Sequence, residues 1–193
     1  MSSHQVTKVR VVCHDLRPNL NHWSIFLLLQ DGESSIQLDT VSAPGKKGKK
    51  VLSVKTCKYR LPHSALKHWD FPVDPFELAG RNIPFRIFQR EVYMQGRDYY
   101  RTADGSGEGC RWWVWNVMYD FCIKGLIGLD SYEKIKAKIK YVYSSDGSKE
   151  LRKIARGQFP DRDHLRGVLI RTKQQELSDE DSDGGVFSDG HDD

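Results

Sequence analysis

A cysteine delivered by a glycine loop is the feature of this chain that carries the most chemistry. In Gly107-Glu108-Gly109-Cys110-Arg111-Trp112-Trp113 the loop gives way to the most apolar stretch of the sequence, and from Trp112 to Cys122 nearly every residue is apolar. Apolar residues on all sides mark a buried helix rather than an amphipathic surface one. A cysteine in its first turn lies where unpaired backbone N–H groups and the helix dipole favour an anion, so a thiolate forms there more easily than on a free thiol. The plainer use of such a residue is as a small core side chain.

Thiol chemistry on a carbonyl needs an imidazole to take the proton and a polar group to hold that imidazole. His22, in Asn21-His22-Trp23-Ser24-Ile25-Phe26, is the candidate base. Gln37, in Ile36-Gln37-Leu38, is the candidate orienter, with Asp39 as the alternative two residues on and on the same strand face. The Asp31-Gly32 turn predicts that the strands bearing His22 and Gln37 are neighbours, and directly opposed residues bring their Cβ atoms to about 4.5–5.5 Å. The backbone N–H of Cys110 or Arg111 would face a developing oxyanion. His68-Trp69 repeats the His-Trp pair, so the dipeptide alone carries little information. Cys13-His14 with His4 and His22 contains metal-ligand types, but no spacing matches a zinc module and no metal site is expected.

These residues need elements to position them. Val6 to Val12, His22 to Leu29, Ser35 to Val41 and Val51 to Tyr59 read as strands of a meandering antiparallel sheet. Ala43 to Lys50 reads as a flexible basic loop. Pro62, Pro72, Pro75 and Pro84 leave room only for short elements between Leu61 and Phe88, with a strand or a helix start at Pro84 to Phe88. Arg97 to Thr102 leads into the loop before the helix of Cys110 to Lys124. Asp130 or Ser131 caps a second helix running to about Tyr143, with Tyr132, Ile135, Ile139 and Val142 on one face. Alternating lysines leave a strand open there. Ser144 to Ser148 turns the chain, and Leu151 to Ile170 reads as mixed, with helical pieces. The expected architecture is one α+β domain over residues 5–172, an antiparallel sheet packed on the helix that starts near Cys110. A disordered acidic tail over 173–193 follows.

The order of Asn21-His22-Trp23-Ser24-Ile25-Phe26, Asp31-Gly32, Ile36-Gln37-Leu38 and Gly109-Cys110-Arg111-Trp112 resembles that of lecithin:retinol acyltransferase-like proteins, in the circularly permuted branch of papain-like folds. The resemblance implies a permuted papain-like fold, with His22 as base and Cys110 as nucleophile. Gln37 stands where that group has its second histidine, and the residues around Cys110 differ from the group's. Asn21-His22-Trp23 together with Gly105 to Trp113 also resembles, over most of the chain, an uncharacterised fungal domain family to which no activity attaches.

The chain of 193 residues has a formal charge of +4, but its last 18 residues, from Glu176 on, hold eight acidic side chains and no Lys or Arg. The rest carries 30 basic and 18 acidic groups. Lys46, Lys47, Lys49 and Lys50 form a cluster suited to weak, salt-sensitive nucleic-acid contact or to nuclear import. No apolar run reaches the roughly 18–20 residues of a membrane span, and the four cysteines form no CxxC pair. With no signal-peptide pattern, a reduced cytoplasmic setting is expected. No Walker loop, dinucleotide fingerprint or serine elbow is present, and no cofactor is expected. The leading functional expectation is therefore a cysteine-dependent hydrolase or acyltransferase acting on an unidentified small molecule or peptide. The alternatives are a non-catalytic binding protein of the same fold and a nonspecific nucleic-acid binder.

Overall fold

The computed structural model describes residues 4–17, 20–73, 83–102 and 109–160. The fold is α+β, an eight-stranded antiparallel sheet with three helices. The strands are β1 (Gln5–Arg17), β2 (Leu20–Leu29), β3 (Ser35–Ser42), β4 (Lys49–Cys57), β5 (Ala65–Pro72), β6 (Ile83–Pro84), β7 (Tyr99–Thr102), β8 (Tyr141–Tyr143), β9 (Lys149–Leu151) and β10 (Gly157–Gln158). The helices are α1 (Phe85–Met94), α2 (Cys110–Ile123) and α3 (Leu129–Ile139). The main sheet runs β10-β7-β4-β3-β2-β1-β5, with β6 added to β1, while β8 and β9 form a separate hairpin.

The centre of the sheet is buried on both faces, which is why His22 to Leu29 reads as a continuous apolar run rather than an alternation. Val9, Val11 and Cys13 of β1, Trp23, Ile25 and Leu27 of β2, and Leu38 of β3 face the helices and are fully buried. Val12, Phe26, Leu28 and Cys57 form a smaller cluster apart from that core. Helix α2 supplies Trp113, Val114, Val117, Met118 and Phe121 to the main core, and Phe88 of α1 meets Phe121 edge-on at 5.2 Å. One charged residue interrupts that face. Asp120 is 5% exposed and takes Arg97 in a two-pronged ion pair at 2.6 and 3.2 Å, while Trp113 Nε1 donates to the Arg97 carbonyl at 2.7 Å. Breaking such a buried pair from one side leaves an unpaired charge, so the network fixes how α2 is rotated on its neighbours.

Several sequence expectations need correction. The basic segment is a tight hairpin, Lys49 and Lys50 already belong to β4, and only Lys46 and Lys47 of the four lysines stand fully in solvent. The proline-flanked middle holds an eight-residue strand, β5, tolerated because it is an edge strand ending at Pro72. Arg97 to Thr102 contains β7 rather than a simple lead-in. Helix α3 ends at Ile139, and Val142 is buried on β8 instead of on the helix. Residues 151–160 are extended or irregular, with β10 and no helix, while the rest of the segment expected to hold helical pieces, 161–170, lies outside the described residues. The tail expected over 173–193 lies outside the described residues. No helix among the described residues is long and apolar enough to cross a membrane.

Candidate active site

The ladder between β2 and β3 runs from Leu28 opposite Ser35 to Ile25 opposite Leu38 and stops there. Beyond it β3 continues to Ser42 paired with β4, while β2 runs back through Ser24 to Leu20 paired with β1. Side chains take over where the ladder ends. His22 Nε2 lies 2.8 and 2.9 Å from the two carboxylate oxygens of Asp39. Asp39 is itself held, accepting the Thr40 N–H at 2.6 Å and the Gln37 amide at 3.3 Å. Helix α2 begins beside the same stretch of β2, with Cys110 Sγ 3.9 Å from the carbonyl oxygen of Asn21. Cys110 and His22 line one cavity of about 60 Å³, with Leu16, Leu20, Val142 and Ala155 as its apolar walls.

Burial by itself would lower the pKa of His22, but its hydrogen bonds to Asp39 and to Cys110, and the charge of Asp39, outweigh burial and raise it to about 10. Since Nε2 is occupied by Asp39, Nδ1 is the nitrogen available to the thiol. A second histidine completes the cluster. His14 lies opposite His22 in the β1–β2 register, their rings 5.6 Å apart. Its two nitrogens meet Ser64 Oγ at 2.9 Å and Ser24 Oγ at 2.6 Å. Burial, then the charge of His22, lower its pKa to about 4, so His14 is neutral beside a charged His22.

Three devices hold Cys110 in place. Gly109, the residue before α2, has no side chain because the Tyr100 ring occupies that space: a Cβ there would fall 2.7 Å from Tyr100 Cζ. Gly157 meets the same ring and is equally closed to a methyl group. The Arg111 guanidinium donates to the carbonyls of Arg152 and Lys153 at 3.2 and 3.0 Å, fastening the chain after β9 over the first turn of the helix. Asn21 behaves like a strand residue through its side chain, donating to the Tyr143 carbonyl at 2.9 Å and accepting the Tyr143 N–H at 2.6 Å. That exchange anchors β8, and with it the Val142 wall. No side chain caps α2, and a helix supplies no internal acceptors for the N–H groups of its first turn.

Of the residues singled out by sequence, the structure brings Cys110, His22 and Asp39 together. Gln37 is not opposite His22. It lies opposite Phe26 and reaches the histidine only through Asp39, because the register is offset from the one that would oppose the two. Arg111 contributes a clamp with its side chain in addition to its backbone position. The lysines belong to the β3–β4 hairpin, where Lys50 donates to Ser42 Oγ. His68-Trp69 lies on β5, and Trp69 stacks on Trp23 at 5.3 Å as wall and core. Cys13 and Cys122 are buried thiols whose pKa values burial pushes up, to about 12 and about 11. Sequence reasoning named His14 only as a metal-ligand type and Asn21 only within its motif, gave neither a part in this site, and did not single out Tyr100. His14 had a signal in its place among β-branched residues of β1, but only the register sets it against His22.

No curated protein and no solved structure matches the chain. A family model described as a domain of unknown function matches residues 8–160, a span that contains Cys110, His22, Asp39 and His14. The chain therefore belongs to the family of the domain of unknown function DUF7770.

Proposed function

We propose that the protein is a cysteine-dependent hydrolase or acyltransferase in which Cys110 is the nucleophile, His22 its acid–base partner and Asp39 the group that orients the ring. The observation that carries this reading is the meeting of Cys110 and His22 on one cavity, with Asp39 holding His22 from behind through both carboxylate oxygens. His22, held by Asp39, is the group that takes the thiol proton. The thiolate attacks a carbonyl carbon, and the negative charge that develops on oxygen lies at the N-terminus of α2, within reach of the Cys110 and Arg111 N–H groups. Collapse expels the leaving group, which takes the proton from His22, and a thioester remains on Cys110. His22 then removes a proton from water or from an acceptor nucleophile, whose attack releases the acyl group. A cavity of about 60 Å³ suits a substrate that inserts only its reacting end. A strand histidine that precedes a cysteine opening a buried helix supports a remote relation to permuted papain-like proteins.

The test is iodoacetamide labelling of Cys110, resolved by peptide mass across pH, in the native protein and in His22→Ala. Fast labelling at neutral pH that collapses in the variant is expected. Slow labelling that ignores His22 would mean a structural thiol and a non-catalytic binding protein.

A further inference from the structure

Helix α2 has a second face that does not pack on the sheet. Trp112, Trp115, Asn116 and Tyr119 recur along it at the spacing of one helical stripe, and Tyr132 of α3 stands beside them. The five residues line an open cavity of about 210 Å³, separate from the thiol site. Four of the five are aromatic, and their rings are set at differing angles. Trp112 and Trp115 are perpendicular at 5.2 Å, Tyr119 and Tyr132 are steeply inclined at 5.1 Å, and Trp115 and Tyr132 are nearly parallel at 6.3 Å.

The Asn116 amide nitrogen donates one of its two hydrogens to the Trp112 carbonyl at 2.7 Å. The indole N–H groups of Trp112 and Trp115 are buried away from solvent and have no hydrogen-bond partner, so they offer nothing to a ligand's carbonyl at the mouth. The ring faces and the amide oxygen give the cavity acceptor character. The chain's own cations already respond to it: the Arg156 guanidinium sits 5.3 Å from the Trp112 ring centre and the Lys136 ammonium 5.6 Å from that of Tyr132. Ring quadrupoles attract cations in this way, most strongly when the cation is weakly hydrated.

We propose that this cavity binds a quaternary or fully methylated ammonium group. Such a head group has no N–H to satisfy and sheds little hydration, which matches a site of aromatic faces without a carboxylate among its lining residues. The volume, below the roughly 300–1,000 Å³ of pockets for drug-sized ligands, matches a single head group. The inference is independent of the thiol chemistry.

The experiment follows the indole N–H resonances of the full chain by NMR while choline chloride is added, with sodium chloride holding ionic strength constant. The neutral isostere 3,3-dimethylbutanol is titrated in parallel. Saturable shifts of the Trp112 and Trp115 signals are expected, with choline binding at least tenfold tighter than the isostere. Tyr119 is 45% exposed, so its replacement leaves the fold intact. Tyr119→Ala is expected to weaken choline binding about tenfold while Tyr119→Phe retains it. Equal affinity for the isostere would overturn the proposal in favour of a merely apolar pocket. Shifts with a proline-rich peptide but not with choline would overturn it in favour of a peptide groove, and the absence of saturable shifts would remove the site altogether.

Discussion

Replacing Gly109 by alanine tests how Cys110 is positioned. The backbone at Gly109 has φ −145° and ψ −2°, outside the left-handed region that favours glycine. Loss of freedom in the unfolded chain favours alanine by about 0.4–1 kcal/mol at most, and only where the native backbone accommodates it. Sterics oppose it. The new methyl would lie 2.7 Å from Tyr100 Cζ, where ordinary contact needs 3.4 Å or more, so ring and helix must separate by at least about 0.7 Å. Tyr100 has nowhere to go, being 1% exposed and pressed on Gly157, with Phe159 at 5.2 Å. The helix cannot yield freely either, because Trp113 and Val114 of its first turns are fully buried. Overpacking of this kind costs about 1–3 kcal/mol, which exceeds the entropic gain over most of its range. Gly109→Ala is therefore expected to lower Tm by roughly 2–10 °C in a chain of this size and to slow Cys110 labelling, since the first turn moves with the strain. Thermal unfolding and labelling should be measured together on Gly109→Ala, Tyr100→Leu and the double variant. A coupling energy of at least about 1 kcal/mol, with the double variant less unstable than the sum, is the expected signature. A Tm at or above the native value, or additive effects in the cycle, would refute the packing argument.

Two further outcomes follow from the cluster around His22. His14 has a pKa of about 4 in the folded protein, set by burial and by His22, against the usual 6.5. Between these values the unfolded chain binds the extra proton, so stability rises with pH through the window and is lost as pH falls from 6.5 toward 4, by up to about 3 kcal/mol. Urea midpoints from pH 4 to 7 should show that acid limb, and His14→Gln should flatten it; an unchanged limb would place the titration elsewhere. Asp39→Asn removes a charge-assisted hydrogen bond of about 1.5–3 kcal/mol from His22, so Cys110 labelling at neutral pH should slow by about ten- to a hundredfold. Full labelling in that variant would show that Asp39 has no influence on Cys110 through His22.

The local features of the fold were legible in sequence because their causes are local. Asp31-Gly32 turns the chain since Asp31 accepts the N–H groups of Glu33 and Ser34 at 2.9 and 2.8 Å and Gly32 adopts φ +81°. The helix opening at Cys110 was written in its apolar run and in the glycine before it. Errors fell where local signals compete. Proline around β5 masked an edge strand, and the apolar spacing from Tyr132 to Val142 continued past the end of α3 into β8.

The site divides along the same line. Sequence alone determined that a cysteine opens a buried helix, that a histidine lies on an apolar strand, and that Gln37 and Asp39 lie on the strand after the turn. Only the tertiary structure decided that Asp39 rather than Gln37 takes the imidazole, because that choice depends on where the β2–β3 ladder ends. It also decided that His14 stands against His22, that Asn21 anchors β8 across 122 residues of chain, and that Gly109 and Gly157 close on one tyrosine. Each of these depends on register or on contact between distant segments. A strand shifted by one residue turns every side chain to the other face, so the same residues in another register would make a different site.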